Sequence, residues 1–232
     1  MHTFLLNWFT RYAFVVGVLR ERGVASRGRI LEVGSGSFGL GAFIDRTVVG
    51  VDGDFDAERH PLLLPVRGHA GQLPFRDGSF EVVVSLDLIE HVPRERRAEV
   101  MAEMFRLSSS FLIMGCPVGE VAERCDRAFA AWLKRAGKEV PWWLSEHFER
   151  GVPTEHEIVS ALRSIPSVGD VEVFPNENAA VHMAAIVADH TPEVLEVLMP
   201  SLNEHCDEWL RLCSEASFGE CYRQFFVVQR SE

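Results

Sequence analysis

Thirteen residues, Arg29 to Gly41 (RILEVGSGSFGLG), constrain the fold more than any other stretch of the chain. Ile30, Leu31 and Val33 read as a short buried strand. Glycine at 34, 36 and 39 then lets the backbone turn sharply and admits a ligand against bare main chain. The N–H groups that open the following helix face that ligand. A strand breaking into such a turn is the opening unit of a doubly wound sheet, where ligands sit beyond the carboxyl ends of the strands. Gly34-x-Gly36-x-x-Gly39 also matches the dinucleotide fingerprint, a pattern that is weak when it stands alone.

The surrounding residues narrow the choice of ligand. Thr47 to Asp52 is a second apolar strand that ends in a carboxylate 18 residues after Gly34, placed to accept hydrogen bonds from two ribose hydroxyls. Glu32, two residues before the first glycine, is unusual in the nicotinamide form of the motif and suits a cationic ligand. The block from Gly68 to Val92 (GHAGQLPFRDGSFEVVVSLDLIEHV) is one that dehydrogenases do not carry. With these motifs in order from about Gly28 to Val118, the chain resembles the class I, seven-strand S-adenosylmethionine-dependent methyltransferases, in particular their small-molecule "type 11" group.

That resemblance implies an α/β fold: a doubly wound, mostly parallel seven-stranded sheet with an antiparallel last strand and helical insertions. It implies S-adenosylmethionine as cofactor. Gly34, Ser35 and Gly36 would pass the methionine portion with Glu32 nearby, and Asp52 would meet the ribose with Gly53 beside it. His69 and Ala70 would lie near adenine, and Ser85 near the amino-acid group. Where the family usually has an acid after the glycine, this chain has His69. Two readings stand for it: a neutral imidazole accepting from the adenine amino group, or a solvent-facing loop residue. His91 is the candidate catalytic base, since an imidazole titrates near ~6.5. The alternative is that Glu90 and His91 orient the loop and cap the next helix.

Composition excludes other classes. The 232 residues are 47% hydrophobic and carry a net charge of −11, which suits one large core and repels a phosphate backbone. Nucleic acid is therefore not the expected partner. Arg94, Arg96 and Arg97, interleaved with Glu95 and Glu99, read as an exposed helix face. Five cysteines without a C-x-x-C pair speak against a disulfide framework or a zinc knuckle, and no metal ligand set is read from the sequence. A cytoplasmic address fits reduced thiols.

Leu5, Trp8, Phe9, Tyr12, Val15, Val16 and Leu19 recur at helical spacing, so residues 1–22 read as a leading helix. The apolar run from Tyr12 to Leu19 is far shorter than the ~18 to 20 residues of a membrane span. No stable membrane insertion is expected, and the rival to packing across the cleft is a membrane-surface helix. Further on, Phe80–Ser85 and Phe111–Cys116 read as strands around a helix from Pro93 to Leu107, with Ser108 to Ser110 as a turn. Thr154-x-x-Glu157 is a capping box that opens a helix to Ile165. Val171–Phe174 and Cys221–Gln229 are the last two strands.

One domain, 1–232, is thus expected, with a cofactor-binding core over 28–118 and helical cap insertions over 119–150 and 177–220. In the second insertion Ala179–Ala188 and Val194–Leu212 have helical spacing, broken by Thr191-Pro192 and by Pro200. These insertions either roof an acceptor pocket or pack on the sheet or as a homodimer face. Glu146 to Thr154 and Pro175 to Asn178 are similar to segments of some polysaccharide-associated bacterial methyltransferases. The expected reaction is methyl transfer to a small-molecule or glycan acceptor by in-line displacement. The alternatives are a catalytically silent binding or scaffold protein of the same fold, and a nicotinamide-dependent oxidoreductase.

Overall fold

The computed structural model describes residues 5–24 and 28–231. Strands β1 (Ile30–Val33), β2 (Val48–Asp52), β3 (Leu63–Arg67), β4 (Phe80–Leu86), β5 (Ser108–Pro117), β6 (Val168–Asn178) and β7 (Cys221–Arg230) form one sheet in the order β3-β2-β1-β4-β5-β7-β6. β7 runs antiparallel to both β5 and β6, and the pairs among β1 to β5 are parallel. The sheet matches the expected one. After β1 the chain builds outward to β2 and β3, then returns to lay β4 and β5 on the other side. That reversal opens a crevice beyond the ends of β1 and β4.

Helices cover both faces, which is why β1 and β4 read as almost unbroken apolar runs. One face packs against α1 (Leu6–Glu21) and the short α2 (Gly41–Ile44), with Phe9, Val15, Val16 and Phe43 among Val82, Val84 and Ile113. The other packs against α3 (Arg97–Leu107) and α6 (Glu155–Arg163), through Met101, Met104, Phe105, Ile158 and Leu162. Between α3 and α6 stand α4 (Gly119–Arg135) and α5 (Trp142–Arg150). Beyond β6 come α7 (Ala179–Asp189), α8 (Pro192–Glu204) and α9 (Cys206–Ser214). The capping box at Thr154 is formed in both directions, at 3.2 and 2.9 Å.

The expected leading helix begins at Leu6, and residues 1–4 lie outside the described residues. Phe9, Tyr12, Val15, Val16, Val18 and Leu19 are buried inside the protein, with α1 set between the sheet, α7 and α9. A membrane-surface helix would need that apolar face free. Among the described residues no helix is long and apolar enough to cross a membrane.

Several local expectations change. Ser108 to Ser110 are not a turn but the first residues of β5, with Ser108 paired to Phe80 across a register irregularity. Arg97 is not on an exposed face. It is buried, and its guanidinium donates to the carbonyls of Val92, Arg150 and Gly151 at 3.1, 3.2 and 2.5 Å. Arg94 and Arg96 do stay on the surface, paired with Glu157 and Glu99. The helix after Pro192 runs through Pro200 and breaks only at His205. Pro200 is exposed, so the hydrogen bond it removes faces water. β3 escaped the sequence reading because Pro65 and exposed Leu64 blur its pattern, which an edge strand tolerates.

Candidate active site

The crevice holds a cavity of about 630 Å3 bounded by the glycine turn, the ends of β2 and β4, α1, α5, α7 and β7. Its size suits a small ligand. Gly34 adopts φ +79°, and its N–H donates to the Val51 carbonyl at 2.8 Å, which ties the turn to β2. Gly39, at φ +63°, passes so close to Glu32 that a Cβ would stand 2.9 Å from its Oε2. At the mouth, Asp52 accepts from the N–H of Gly36 at 2.9 Å and from that of Gly53 at 2.7 Å. A carboxylate offers about four lone-pair sites, so acceptor capacity remains for a ligand's hydroxyls.

Of the residues singled out in the sequence, Gly34, Ser35, Gly36, Asp52 and His91 line this one cavity. Glu32, Gly53, His69, Ala70 and Ser85 do not. Glu32 sits beneath the turn, wholly buried, where its carboxylate accepts from the Tyr12 hydroxyl at 2.7 Å and the Leu40 N–H at 2.6 Å. Burial raises its pKa to about 7 against the pull of those two donors. His69 is exposed, in the loop that leaves β3 beside β2's tip, where the Gly68 N–H meets the Asp52 carbonyl at 3.0 Å. Gly53 is exposed beside Asp52. Ser85 is buried opposite Val33 in the β1–β4 ladder, and its hydroxyl has no hydrogen-bond partner among the described residues.

The sequence reading did not find the charged network that closes the inner end of the crevice. Asp87, at φ +47° just past β4, accepts from Arg223 at 2.7 and 2.8 Å and from Arg11 at 3.0 Å. Burial would raise this carboxyl, but the two guanidiniums outweigh it and hold Asp87 well below the usual carboxylate range. Arg223 also donates to buried Glu177 at 2.7 Å, and Glu177 lies 3.0 Å from His182 Nδ1. His182 stacks on Tyr222 at 3.5 Å between ring centroids. One signal was available: Arg223 is a lone cation in the apolar run Tyr222 to Val228.

Beside this network stand Glu90, His91 and His147. His91 lies with its Nδ1 2.9 Å from Glu146, and burial together with the neighbouring His147 lowers its pKa from 6.5. His147 has its Nδ1 2.9 Å from Asp126, which also accepts from the Tyr222 hydroxyl at 3.0 Å. Glu90 is fully buried. Burial first, and then the charge of Asp87, push its carboxyl up. Trp142 and Trp143 of α5 reach the same cavity, so part of the first insertion does form its wall.

Comparison with known proteins agrees with this layout. Residues 31–110 match the family described as "Methyltransferase domain". The fold is similar to magnesium protoporphyrin IX methyltransferase from Synechocystis PCC 6803, solved with S-adenosylhomocysteine (TM-score 0.54, 13% identity, 96% of this chain and 83% of that one). It is also similar to a possible histamine N-methyltransferase from Thermotoga maritima (0.52, 15%, 97% and 92%). A third likeness is to phosphoethanolamine N-methyltransferase 2 from Haemonchus contortus (0.54, 14%, 94% and 52%). No curated protein sequence matches the chain.

The sheet order, the glycine turn and the acid-tipped second strand are those of the Rossmann-like fold that these methyltransferase structures share. The match to the methyltransferase-domain model covers residues 31–110, from β1 into the start of β5, which is the part of the chain that builds the glycine turn and the acid-tipped strand.

Proposed function

We propose that this chain transfers a methyl group from S-adenosylmethionine to a small-molecule or glycan acceptor held in the same cavity. The observation that carries this reading is the meeting of Gly34, Ser35, Gly36 and Asp52 on one wall of a cavity otherwise framed by Trp8, Trp142 and Tyr222. S-adenosylmethionine supplies an activated methyl on a sulfonium, with a neutral thioether as leaving group. The protein's task is to hold the acceptor atom in line with that bond and to exclude water.

The residues divide this work. The bare backbone of Gly34 to Gly36 admits the methionine portion, and Asp52 turns its spare lone pairs to the ribose. Gly53, His69 and Ala70, in the loops at β2's tip, border the adenine end. Glu32 supports the turn from below, and Ser85, near the end of β4, lies towards the amino-acid group. The aromatic walls desolvate the acceptor. For a hydroxyl or ammonium acceptor, His91 takes the proton: Glu146 holds its Nδ1, so Nε2 is what it offers, and its lowered pKa keeps it neutral near pH 7.

The acceptor's class follows from charge. Among the described residues, the two arginines at the wall, Arg11 and Arg223, are already paired with Asp87, and no lysine lines the cavity. A polyphosphate has nothing to bind there, whereas a neutral or apolar molecule, a sugar or a lipid-linked glycan does. Calorimetry with S-adenosylhomocysteine tests the cofactor half. Wild-type protein binds it, and Asp52→Ala weakens binding by about 2 kcal/mol, roughly 30-fold, because hydrogen bonds to a charged group are lost. An unaltered dissociation constant in that variant contradicts the placement of Asp52.

A further inference from the structure

Glu90, His91 and His147 offer one ligand atom each, all within 4.8 Å of one another, on the wall of the cavity. Among the described residues neither oxygen of Glu90 has a hydrogen-bond partner, although the residue is 0% exposed. His147 is 5% exposed, and its Nε2 is likewise unpartnered, 3.9 Å from Glu90 Oε1. Three buried polar atoms left unsatisfied side by side are costly, and such groups call for an explanation.

The second layer supplies one. Both imidazoles are held at Nδ1 by a carboxylate, His147 by Asp126 and His91 by Glu146, each at 2.9 Å. Those carboxylates are themselves fixed, Asp126 by the Tyr222 hydroxyl at 3.0 Å and Glu146 by Arg150 at 2.6 Å. A carboxylate on Nδ1–H sets the tautomer in which Nε2 carries the free lone pair, the arrangement by which proteins present histidine to a metal. The two rings lie 5.0 Å apart.

We propose that Glu90, His91 and His147 bind a divalent transition-metal ion of the zinc class. Resting on the methyl-transfer reading, we assign its open coordination positions to an oxygen of the acceptor. Two imidazole nitrogens and one carboxylate suit zinc, iron or manganese rather than calcium or magnesium, which take oxygen ligands. Metal–ligand lengths of ~2.0–2.2 Å place neighbouring donors about 3 to 3.5 Å apart, so the set contracts by roughly 1 Å around the ion. The Nε2 lone pair of His91 then goes to the ion, which takes over the part of base described above: it lowers the pKa of the hydroxyl it binds, so that the proton passes to water before the methyl is transferred. The acceptor is accordingly an oxygen-bearing molecule.

The test uses the full chain freed of metal by chelator and titrated with Zn2+ and Mg2+ by calorimetry, beside a separate titration with S-adenosylhomocysteine. One Zn2+ per chain is expected, with Mg2+ binding much more weakly. His147→Gln lowers Zn2+ affinity by roughly 100-fold, and Asp126→Asn, one layer out, by about 10- to 100-fold. Circular dichroism checks that each variant is folded, and Co2+ in place of Zn2+ reports imidazole ligation by its visible absorption in the wild type. A wild-type chain that binds no Zn2+, one that binds Mg2+ as tightly, or folded variants as tight as wild type overturn the ion site. Zn2+ bound without S-adenosylhomocysteine upholds the site and overturns its role toward an acceptor. The nucleoside bound without Zn2+ overturns the ion site and leaves methyl transfer standing.

Discussion

Glu32 shows how one residue type, legible in the sequence, takes its meaning from what surrounds it. An acid before the first glycine marks the motif, yet its side chain lies under the turn, between the Tyr12 hydroxyl and the Leu40 N–H. Its pKa rises in the folded protein from the ordinary 4.5 to about 7. The linkage has a definite sign. Below pH 4.5 the carboxyl is neutral in both states, and as pH climbs toward 7 the unfolded chain ionises first, so stability falls through that window. The loss by pH 8 is on the order of 3 kcal/mol. Glu32→Gln should flatten this part of the profile, because the amide can accept from Leu40 and donate to the Tyr12 oxygen. Urea denaturation at pH 5 and pH 8 reads it; an equal pH slope in both proteins refutes the assignment. His147 illustrates the opposite case. It stands 56 positions after His91 in a helix of its own, so no local spacing marks it.

At the scale of elements, periodicity placed the strands and most helices, but not how their ends are satisfied. α1 has no capping side chain of its own at Leu5. Instead Asp189, the last residue of α7, accepts from the N–H groups of Leu6 and Asn7 at 2.8 and 3.0 Å. Those donors would otherwise be orphaned, and the carboxylate also faces the positive end of the helix. Burial, the leading influence, raises the Asp189 pKa nonetheless. Asp189→Ala should cost about 1 to 2 kcal/mol, as loss of a cap does, and Asp189→Asn less, since one acceptor remains. Should the denaturation midpoint of the alanine variant equal that of wild type, the long-range cap contributes nothing. The long second insertion followed the same division: Pro192 starts α8 as its fixed φ favours, while the break moved from Pro200 to His205 because only the fold decides that Pro200 faces water.

For the whole molecule, the crevice couples parts far apart in the chain: α1, the glycine turn, α5, α7 and β7. A ligand seated there links them energetically. S-adenosylhomocysteine at 100 times its dissociation constant should add about 2.7 kcal/mol to the unfolding free energy. It should also slow amide exchange in α1 and in the turn from Gly34 to Gly39, which flank the cavity, and leave β3 at the far edge nearly unchanged. Exchange that slows uniformly, or only in β3, speaks against binding in this crevice.

The doubly wound core was readable from residue order because its signals are local. A strand, a glycine turn and an acid at the tip of the next strand are set by backbone sterics and burial over a few residues each. The buried network of Asp87, Arg223, Glu177 and His182, and the trio of Glu90, His91 and His147, are different in kind. Their members come from segments up to 136 positions apart, and a charge is tolerated in the interior only where folding delivers its partner. Tertiary structure alone decides such meetings, since desolvation and Coulomb attraction act through space and not along the chain.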